Sequence, residues 1–145
     1  GHVFNADFPK EYQKWDKVDP AELFYVSTIK RLANPKGKTV QHLQREARNC
    51  NYLVLWLDND KEGENICYEV LDCCKGSMRK EKYQQIFRAK FSSLVKQDLV
   101  AAFKAIRDGP NYNESISVDA RQIIDLKIGV TFSRFQTSYF RTKYQ

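Results

Sequence analysis

The sequence lacks any apolar run of the roughly 20 residues that a membrane-spanning helix needs. It has no signal-type apolar start and no initiator Met, so we expect an excised piece of a longer protein, whose Gly1-His2 is either native or a tag remnant. Internal repeats and low-complexity segments are also missing. Within these residues we therefore expect no membrane-spanning segment and no repeat architecture. The 145 residues suffice for one compact domain, with or without an appended segment.

The four cysteines lack the C-x-x-C spacing that is typical of zinc sites. Cys73 and Cys74 are adjacent, which is a poor placement for a disulfide between them. We therefore expect no zinc and reduced thiols, with Cys67 and one of the adjacent pair packed as small core residues. Reduced thiols are typical of cytosolic or nuclear proteins.

Positive charge is concentrated in one part of the chain. The net charge is +6, which favours a polyanionic partner. Between Lys75 and Arg107 the only acids are Glu81 and Asp98, so this stretch predicts a nucleic-acid-binding surface. Its nine basic residues are Lys75, Arg79, Lys80, Lys82, Arg88, Lys90, Lys96, Lys104 and Arg107.

Hydrophobic periodicity predicts alternating helices and strands after an irregular start. Residues 1–35 are punctuated by prolines and predict a packed loop region. A short amphipathic helix is expected to open at Thr39. Residues 51–57, NYLVLWL, contain six consecutive apolar or aromatic residues without a helical period and predict a strand buried on both faces. A helix from about Glu64 should follow that strand.

A second strand is expected over residues 83–91. Its apolar positions alternate with Arg88 and Lys90, which we place on an exposed basic face as candidates for nucleic-acid binding. A helix should open next, at Ser92 or Ser93, because apolar residues then recur at helical spacing.

The last third of the chain predicts a helical segment. Residues 109–114 are expected to form a loop, and the pattern beyond them predicts a long helix interrupted near Gly129. The alternation as a whole predicts an α/β fold. We expect a mostly parallel sheet flanked by helices, followed by a C-terminal helical segment.

The segment DNDKEGENICYE, residues 58–69, has two alternative interpretations. Its acids and its glycine nearly fit the calcium loop of an EF-hand. An EF-hand needs an entering helix and usually a second hand, however, whereas here a strand enters and no second loop exists. Asp58, Asp60, Glu62 and Glu64 instead recur every second residue just beyond a strand, where active sites of α/β proteins lie.

Carboxylates this close together repel each other unless they are solvated, partly protonated or bound to a divalent cation. Hard oxygen ligands at this spacing suit Mg²⁺ and predict phosphoryl transfer on a nucleic acid backbone. The alternative is a solvated acidic helix start, in which Glu62 and Glu64 interact only with the helix dipole.

Residues 54–65, VLWLDNDKEGEN, resemble the Asp-x-Asp-x-Glu-Gly-Glu signature of the Toprim domain of type IA topoisomerases. FRAKFSS, residues 87–93, and SVDARQIIDLKIGVTFSRFQT, residues 117–137, resemble the segments that follow it in topoisomerase III. KWDKVDPAELF, residues 14–24, and the initial GHV are most similar to the beta branch. The resemblance covers nearly the whole chain.

The resemblance implies that Asp58, Asp60 and Glu62 form an acidic triad. In the family these acids hold Mg²⁺ and assist phosphodiester cleavage and rejoining by an active-site tyrosine. His2 matches the histidine of a Gly-His motif, which implies a place in the catalytic site. Arg121 matches a helical arginine and is expected to meet a phosphate of a bound single strand. The alternative for Arg121 is an i, i+4 salt bridge with Asp125.

The resemblance also implies what lies beyond these residues. The family's first strand, which carries a further glutamate, would lie upstream, and the domain with the nucleophilic tyrosine would lie elsewhere. We therefore expect this chain to be inactive alone. Residues 1–110 would form the Toprim domain without its first strand, and residues 111–145 would begin the helical domain that follows.

The implied substrate is single-stranded DNA, with RNA as an open alternative. The beta branch is similar to proteins that act with a Tudor-domain partner, and we expect a nuclear location, with the cytoplasm as an open additional location. No membrane partner is expected. Two other functions stay open: a Toprim-type nuclease or primase fragment, and a non-catalytic module that binds single-stranded nucleic acid through the basic stretch alone.

Overall fold

The computed structural model describes residues 1–79 and 85–143. Within them the chain forms five strands and four α-helices. These are β1 (Phe4–Asp7), β2 (Ile29–Leu32), α1 (Thr39–Ala47), β3 (Tyr52–Leu55), α2 (Lys61–Lys75), β4 (Gln85–Arg88), α3 (Lys96–Lys104), β5 (Arg107–Asp108) and α4 (Tyr112–Lys143). Strands and helices alternate from β2 to α4, so the predicted α/β class is confirmed.

The main sheet has the strand order β3-β4-β5. β3 and β4 are parallel, as predicted, with Leu55 opposite Arg88. β5 was not predicted; it is antiparallel to β4 and places Arg107 opposite Arg88. β1 and β2 form a separate two-stranded sheet, so the predicted loop region of residues 1–35 contains two strands.

The chain forms two compact units, each built from separate segments. The first contains residues 1–4 and the described part of 32–118, and the second contains residues 5–31 and the described residues from Asp119 onwards. In the first unit α1 packs against α2, and Ala47, Cys74 and Met78 form a buried apolar cluster. The predicted division at residue 110 stays a prediction.

β3 differs from its prediction in burial. Leu55 is buried and Leu53 packs against the α1–α2 cluster, yet Tyr52 is 62% exposed and Val54 is 36% exposed. The prediction of a strand buried on both faces is therefore wrong. The reason is that α1 and α2 cover only one face, while on the other face the aromatic ring of Tyr52 stacks on Phe87.

Helix boundaries depend on local capping. α1 begins at Thr39, as predicted. α3 begins at Lys96 rather than at Ser92 or Ser93, because the Ser93 hydroxyl accepts a hydrogen bond from the Val95 amide at 3.1 Å and holds a turn there. Residues 83 and 84 of the second predicted strand lie outside the described residues, as do Lys80 and Lys82 of the basic stretch.

α4 corrects two predictions. Its first turn overlaps the loop predicted at residues 109–114, because the Asn111 side chain accepts from the amides of Asn113 and Glu114 and caps the helix. The helix then runs for 32 residues without the predicted interruption at Gly129. A glycine in a helix costs only about 1 kcal/mol relative to alanine, which a long helix tolerates.

In the second unit α4 holds the N-terminal segment by hydrogen bonds to its backbone. Arg134 is buried, donates to the carbonyl of Tyr12 at 2.7 Å and lies over the ring of Trp15. Lys127 donates to the carbonyl of Phe24 at 2.9 Å. Burial lowers the pKa of Arg134, with the charge of Asp7 opposing that shift. Arginine remains charged at physiological pH nonetheless.

All four cysteines are free thiols. Cys67, Cys73 and Cys74 are buried, so both members of the adjacent pair pack in the core, and Cys50 is exposed. Burial raises the pKa of Cys67 to about 11 and also raises the pKa of Cys73 and Cys74, which keeps these thiols protonated and poorly reactive. None of the helices in the described residues combines the length and the apolar content that a bilayer requires.

Candidate active site

The acidic segment begins just after β3 and continues into the first turn of α2. Asp60 is the N-cap of α2, and its side chain accepts a hydrogen bond from the Gly63 amide at 2.7 Å. Glu62 and Glu64 lie in the first turn, where negative charge interacts favourably with the helix dipole. The cap explains why α2 begins at Lys61, three residues before the predicted start.

Gly63 allows the acidic segment to approach the helix closely. A Cβ placed on Gly63 would lie 2.0 Å from the backbone oxygen of Asp58, which is closer than atoms can approach. Only glycine therefore lets the Asp58 carbonyl rest on the first turn of α2. Gly63 is therefore required because two backbone segments lie close together, and not because it forms the turn of a calcium loop.

Glu62 belongs to a cluster with His2 and Glu69. The Nε2 atom of His2 lies 2.9 Å from Glu62 Oε2, and its Nδ1 lies 3.3 Å from Glu69 Oε1. Glu69 is buried and also accepts from the Val3 amide at 2.7 Å. A neutral imidazole has one N–H and donates to one carboxylate, whereas an imidazolium donates to both. The chain start is thus held against the face of α2 that carries Glu62.

Glu64 and Arg88 form a buried ion pair that was not predicted from the sequence. Both side chains are 1% exposed, and Arg88 Nε donates to Glu64 Oε1 at 2.9 Å. The guanidinium also donates to the carbonyls of Leu57 at 2.9 Å and Asp58 at 2.6 Å. Arg88 therefore fixes the backbone of the acidic segment. No local sequence signal indicates this pair, because its two residues lie 24 positions apart and on different elements.

Glu64 is held in its ionised form. Burial by itself would raise the pKa of this carboxyl group, but the hydrogen bond from the Asn111 amide at 2.6 Å, the bond from Arg88 and the charge of Lys90 outweigh burial. The net result is a pKa below the ordinary value. A buried carboxylate with these partners is a structural anchor and not a proton donor.

Three predicted nucleic-acid-binding residues have different surroundings. The prediction that Arg88 lies on an exposed face is wrong, because Glu64 and several backbone carbonyls draw it into the interior of the unit. Lys90 is 47% exposed, with its Nζ 3.4 Å from Glu64 Oε1. Arg121 is 56% exposed and lies 3.9 Å from Asp125, so the predicted salt bridge is present. The exposure of Lys90 and Arg121 leaves their predicted role open.

Asp58 and Asp60 line one cavity of about 450 Å³, which we call the acidic cavity. Its lining also includes Ser92 and Ser93, so carboxylates and hydroxyls share it. Among the described residues, no three His, Cys, Asp or Glu side chains are arranged to hold a metal ion. Glu62 contacts His2 instead, and the convergence of Asp58, Asp60 and Glu62 on one ion stays a prediction.

A large part of the chain matches a known domain. The family model of the Toprim domain matches residues 1–94. The chain belongs to the Toprim domain family. Its Toprim residues include the acidic segment, the Glu64–Arg88 pair and the His2 cluster.

Relatives extend the likeness beyond the Toprim domain. The chain is 52% identical over 145 residues to DNA topoisomerase 3-beta of Arabidopsis thaliana, covering 100% of this chain and 16% of that protein. It is 54% identical over 147 residues to DNA topoisomerase 3-beta-1 of Homo sapiens, covering 99% of this chain and 17% of the relative. The match to DNA topoisomerase 3-beta of Drosophila melanogaster is 50% over 145 residues, covering 99% and 16%. The chain thus spans about a sixth of the length of these curated relatives.

Proposed function

We propose that this chain is the Mg²⁺-binding Toprim portion of a type IA topoisomerase of the topoisomerase III beta branch, which cleaves and rejoins single-stranded DNA. The observation that carries the proposal is identity of 50% or more along the whole chain with proteins named DNA topoisomerase 3-beta. The capped acidic segment beside a cavity supports it, because this placement suits phosphodiester chemistry.

The residues present fit Mg²⁺. Asp58 and Asp60 share a cavity with the hydroxyl-bearing Ser92 and Ser93, and hard oxygen donors are what this ion prefers. Asp58 and Asp60 would hold the ion from this cavity, and Glu62, which contacts His2 in this structure, would complete the predicted set by turning towards them. When bound, Mg²⁺ neutralises charge that develops on a phosphodiester group during cleavage and rejoining.

The chain's own residues prepare this site. Arg88 holds the carbonyls of Leu57 and Asp58, so the acidic segment keeps one backbone conformation. Asp60 is oriented by the Gly63 amide. His2 forms a hydrogen bond with the Glu62 carboxylate. Its part in catalysis would therefore be to position that side chain. Such preorganisation reduces the rearrangement needed when substrate binds.

The rest of the reaction is proposed to require other parts of the protein. The nucleophilic tyrosine would lie outside these 145 residues, so the chain alone would not relax DNA. The resemblance implies further parts of the proposal: RNA as a second substrate, a Tudor-domain partner, and a nuclear location with the cytoplasm as an additional one. Exposed Arg121 and Lys90 would contact the strand.

Thermal melts test the metal site. We compare the wild type with Asp58→Asn and Asp60→Asn in EDTA, in millimolar Mg²⁺ and in Ca²⁺. In EDTA both variants should be as stable as the wild type or more stable, by up to about 1 kcal/mol, because like charges are close together. Mg²⁺ should raise the melting temperature of the wild type more than that of either variant. Asp72→Asn, an exposed change of the same charge on α2, should respond as the wild type does.

The outcomes distinguish the interpretations of the acidic segment. A wild-type melt that ignores Mg²⁺ contradicts a preformed site and favours a solvated helix start. Stronger stabilisation by Ca²⁺ than by Mg²⁺ would favour a calcium loop.

Relaxation of negatively supercoiled DNA tests the reaction itself. The complete protein should relax DNA with Mg²⁺, its Asp58→Asn variant should not, and the isolated chain should be inactive. Cleavage without rejoining by the complete protein would favour a nuclease. Binding of single strands without any cleavage would favour a non-catalytic module.

A further inference from the structure

A second cavity of the first unit carries more positive than negative charge. Its volume is about 450 Å³, within the range of small-ligand sites. Arg88, Lys90 and Arg107 line it, and none of the described side chains in its lining is acidic. We call it the basic cavity. Glu64 does not line the basic cavity, but it contacts two residues that do: it pairs with Arg88 and lies 3.4 Å from the Nζ of Lys90.

The strand register places two like charges opposite each other. Arg88 on β4 faces Arg107 on β5 as a directly opposed antiparallel pair, and directly opposed side chains share one face of the sheet. Like charges in this position destabilise a strand pair unless a counter-charge is present. Glu64 supplies one negative charge, which the buried Arg88 takes up through its Nε at 2.9 Å.

The donors of Arg88 are already engaged, so the excess charge belongs to Lys90 and Arg107. Besides Glu64, Arg88 donates to the carbonyls of Leu57, Asp58 and Ala89. Lys90 is 47% exposed and Arg107 is exposed. Among the described side chains that line the cavity or contact its lining, three are cations and Glu64 is the one carboxylate, which leaves an excess of two positive charges.

The backbone leaves room for a ligand beside these two cations. Gly109 lines the cavity in a left-handed conformation with φ of 58°, and a Cβ added there would meet no atom within 4 Å. The segment then turns into α4 at Asn111, whose amide is taken by Glu64. Space next to these two cations suits a ligand that carries two negative charges, or a chain of groups that carry one negative charge each.

We propose that the basic cavity binds a phosphate group through Lys90 and Arg107, at a site separate from the acidic cavity. The phosphate belongs either to the backbone of a single-stranded nucleic acid or to a free phosphate-bearing ligand, since both present the same oxygens to these donors. The nucleic acid version extends the proposed function, but neither version depends on Mg²⁺.

Binding in EDTA tests the site independently of the metal. Fluorescence anisotropy of a labelled oligothymidylate of about ten nucleotides, a length within the usual range of single-strand sites, is followed over a salt series. The double variant Lys90→Gln, Arg107→Gln should bind at least about tenfold more weakly, and its salt slope should fall by about 1.4, because each contact to a single strand contributes about 0.7. The matched control is Lys36→Gln, Arg48→Gln, which removes two exposed charges of the same kinds from elsewhere in the first unit.

Amide NMR spectra distinguish the source of the phosphate. Inorganic phosphate and the oligothymidylate are titrated separately, and the Gly109 and Lys90 signals are followed in wild type and double variant. Shifts with both probes that vanish in the double variant support a general phosphate site. Shifts with the oligothymidylate alone support a strand site, and shifts with inorganic phosphate alone support a free ligand.

Two results would overturn the proposal. One is a double variant that binds the oligothymidylate as well as the matched control does, together with unchanged NMR shifts on adding inorganic phosphate. The other is a wild type whose Gly109 and Lys90 signals respond to neither probe. Thermal melts of both double variants establish that folding is retained. Because EDTA is present throughout, failure of the Mg²⁺ melts leaves these outcomes unaffected.

Discussion

The acidic cavity and the basic cavity share one ion pair but use it differently. Arg88 holds the carbonyl of Asp58, which lines the acidic cavity, and itself lines the basic cavity. Beside the acidic cavity, the Glu64–Arg88 pair fixes the backbone that carries the exposed carboxylates. Beside the basic cavity, it neutralises only Arg88, so the charges of Lys90 and Arg107 remain in excess among the described side chains. The comparison teaches that matched buried charges shape a site, whereas unmatched exposed charges are available to ligands.

The largest expected effect comes from breaking the shared pair. Glu64→Gln leaves Arg88 buried without a counter-charge and should cost about 3–5 kcal/mol of unfolding free energy, measured by urea denaturation. Lys90→Gln, at the exposed edge of the same cluster, should cost about 1 kcal/mol or less. A loss from Glu64→Gln as small as that from Lys90→Gln would contradict the structural role of the pair.

The lowered pKa of Glu64 predicts that the free energy of unfolding depends on pH. The pKa of Glu64 in the folded protein is below its ordinary value of 4.5, so the unfolded chain binds the proton more tightly. Its contribution to stability is therefore fully present above pH 4.5 and is lost as the pH falls through the folded pKa. The stability difference between wild type and Glu64→Gln should shrink at acid pH. A constant difference down to the folded pKa would contradict this assignment.

Substitutions of two helical glycines test whether the first turn of α2 lies against the Asp58 carbonyl. Gly63→Ala places a Cβ against the Asp58 carbonyl and should destabilise by about 1–3 kcal/mol, although alanine favours helices. Gly129→Ala in α4 has open space around the new methyl group and should stabilise by up to about 1 kcal/mol. Opposite signs in thermal melts are expected, and stabilisation by both changes would disprove the clash.

The N-cap of α2 predicts a smaller effect. Asp60→Ala removes the acceptor of the Gly63 amide and should cost about 1 kcal/mol in EDTA. Asp60→Asn retains an acceptor and should not destabilise, so chemical denaturation of the two variants separates the cap from the charge. Equal stability of the two variants would mean that the cap contributes nothing.

The smallest effect on stability is expected at Arg121 and Asp125. This exposed pair is separated by 3.9 Å and should contribute about 0.5 kcal/mol or less. If Arg121 contacts nucleic acid, Arg121→Ala should weaken oligothymidylate binding severalfold while Asp125→Ala should not. Equal effects of the two changes on binding would remove Arg121 from the predicted interface.

Burial of the basic residues could not be read from their pattern. Arg88 and Lys90 alternate identically with apolar residues, yet one is buried and the other is half exposed. The difference comes from Glu64, which lies 24 residues before Arg88 in the chain and on another element. Local periodicity carries no information about such a partner. The burial of β3 was mispredicted for a similar reason, because an apolar run does not reveal which face of the strand a helix will cover.

The sequence by itself determined the α/β class, the Toprim family and the position of the acidic segment between a strand and a helix. These follow from short-range pattern and motif, which need no knowledge of distant contacts. Only the tertiary structure decided that Glu62 meets His2, 60 residues away, that Arg88 is an internal anchor and that Arg107 faces it across β4 and β5. The physical reason is that buried charges are placed by their partners, and those partners come together only when the chain folds.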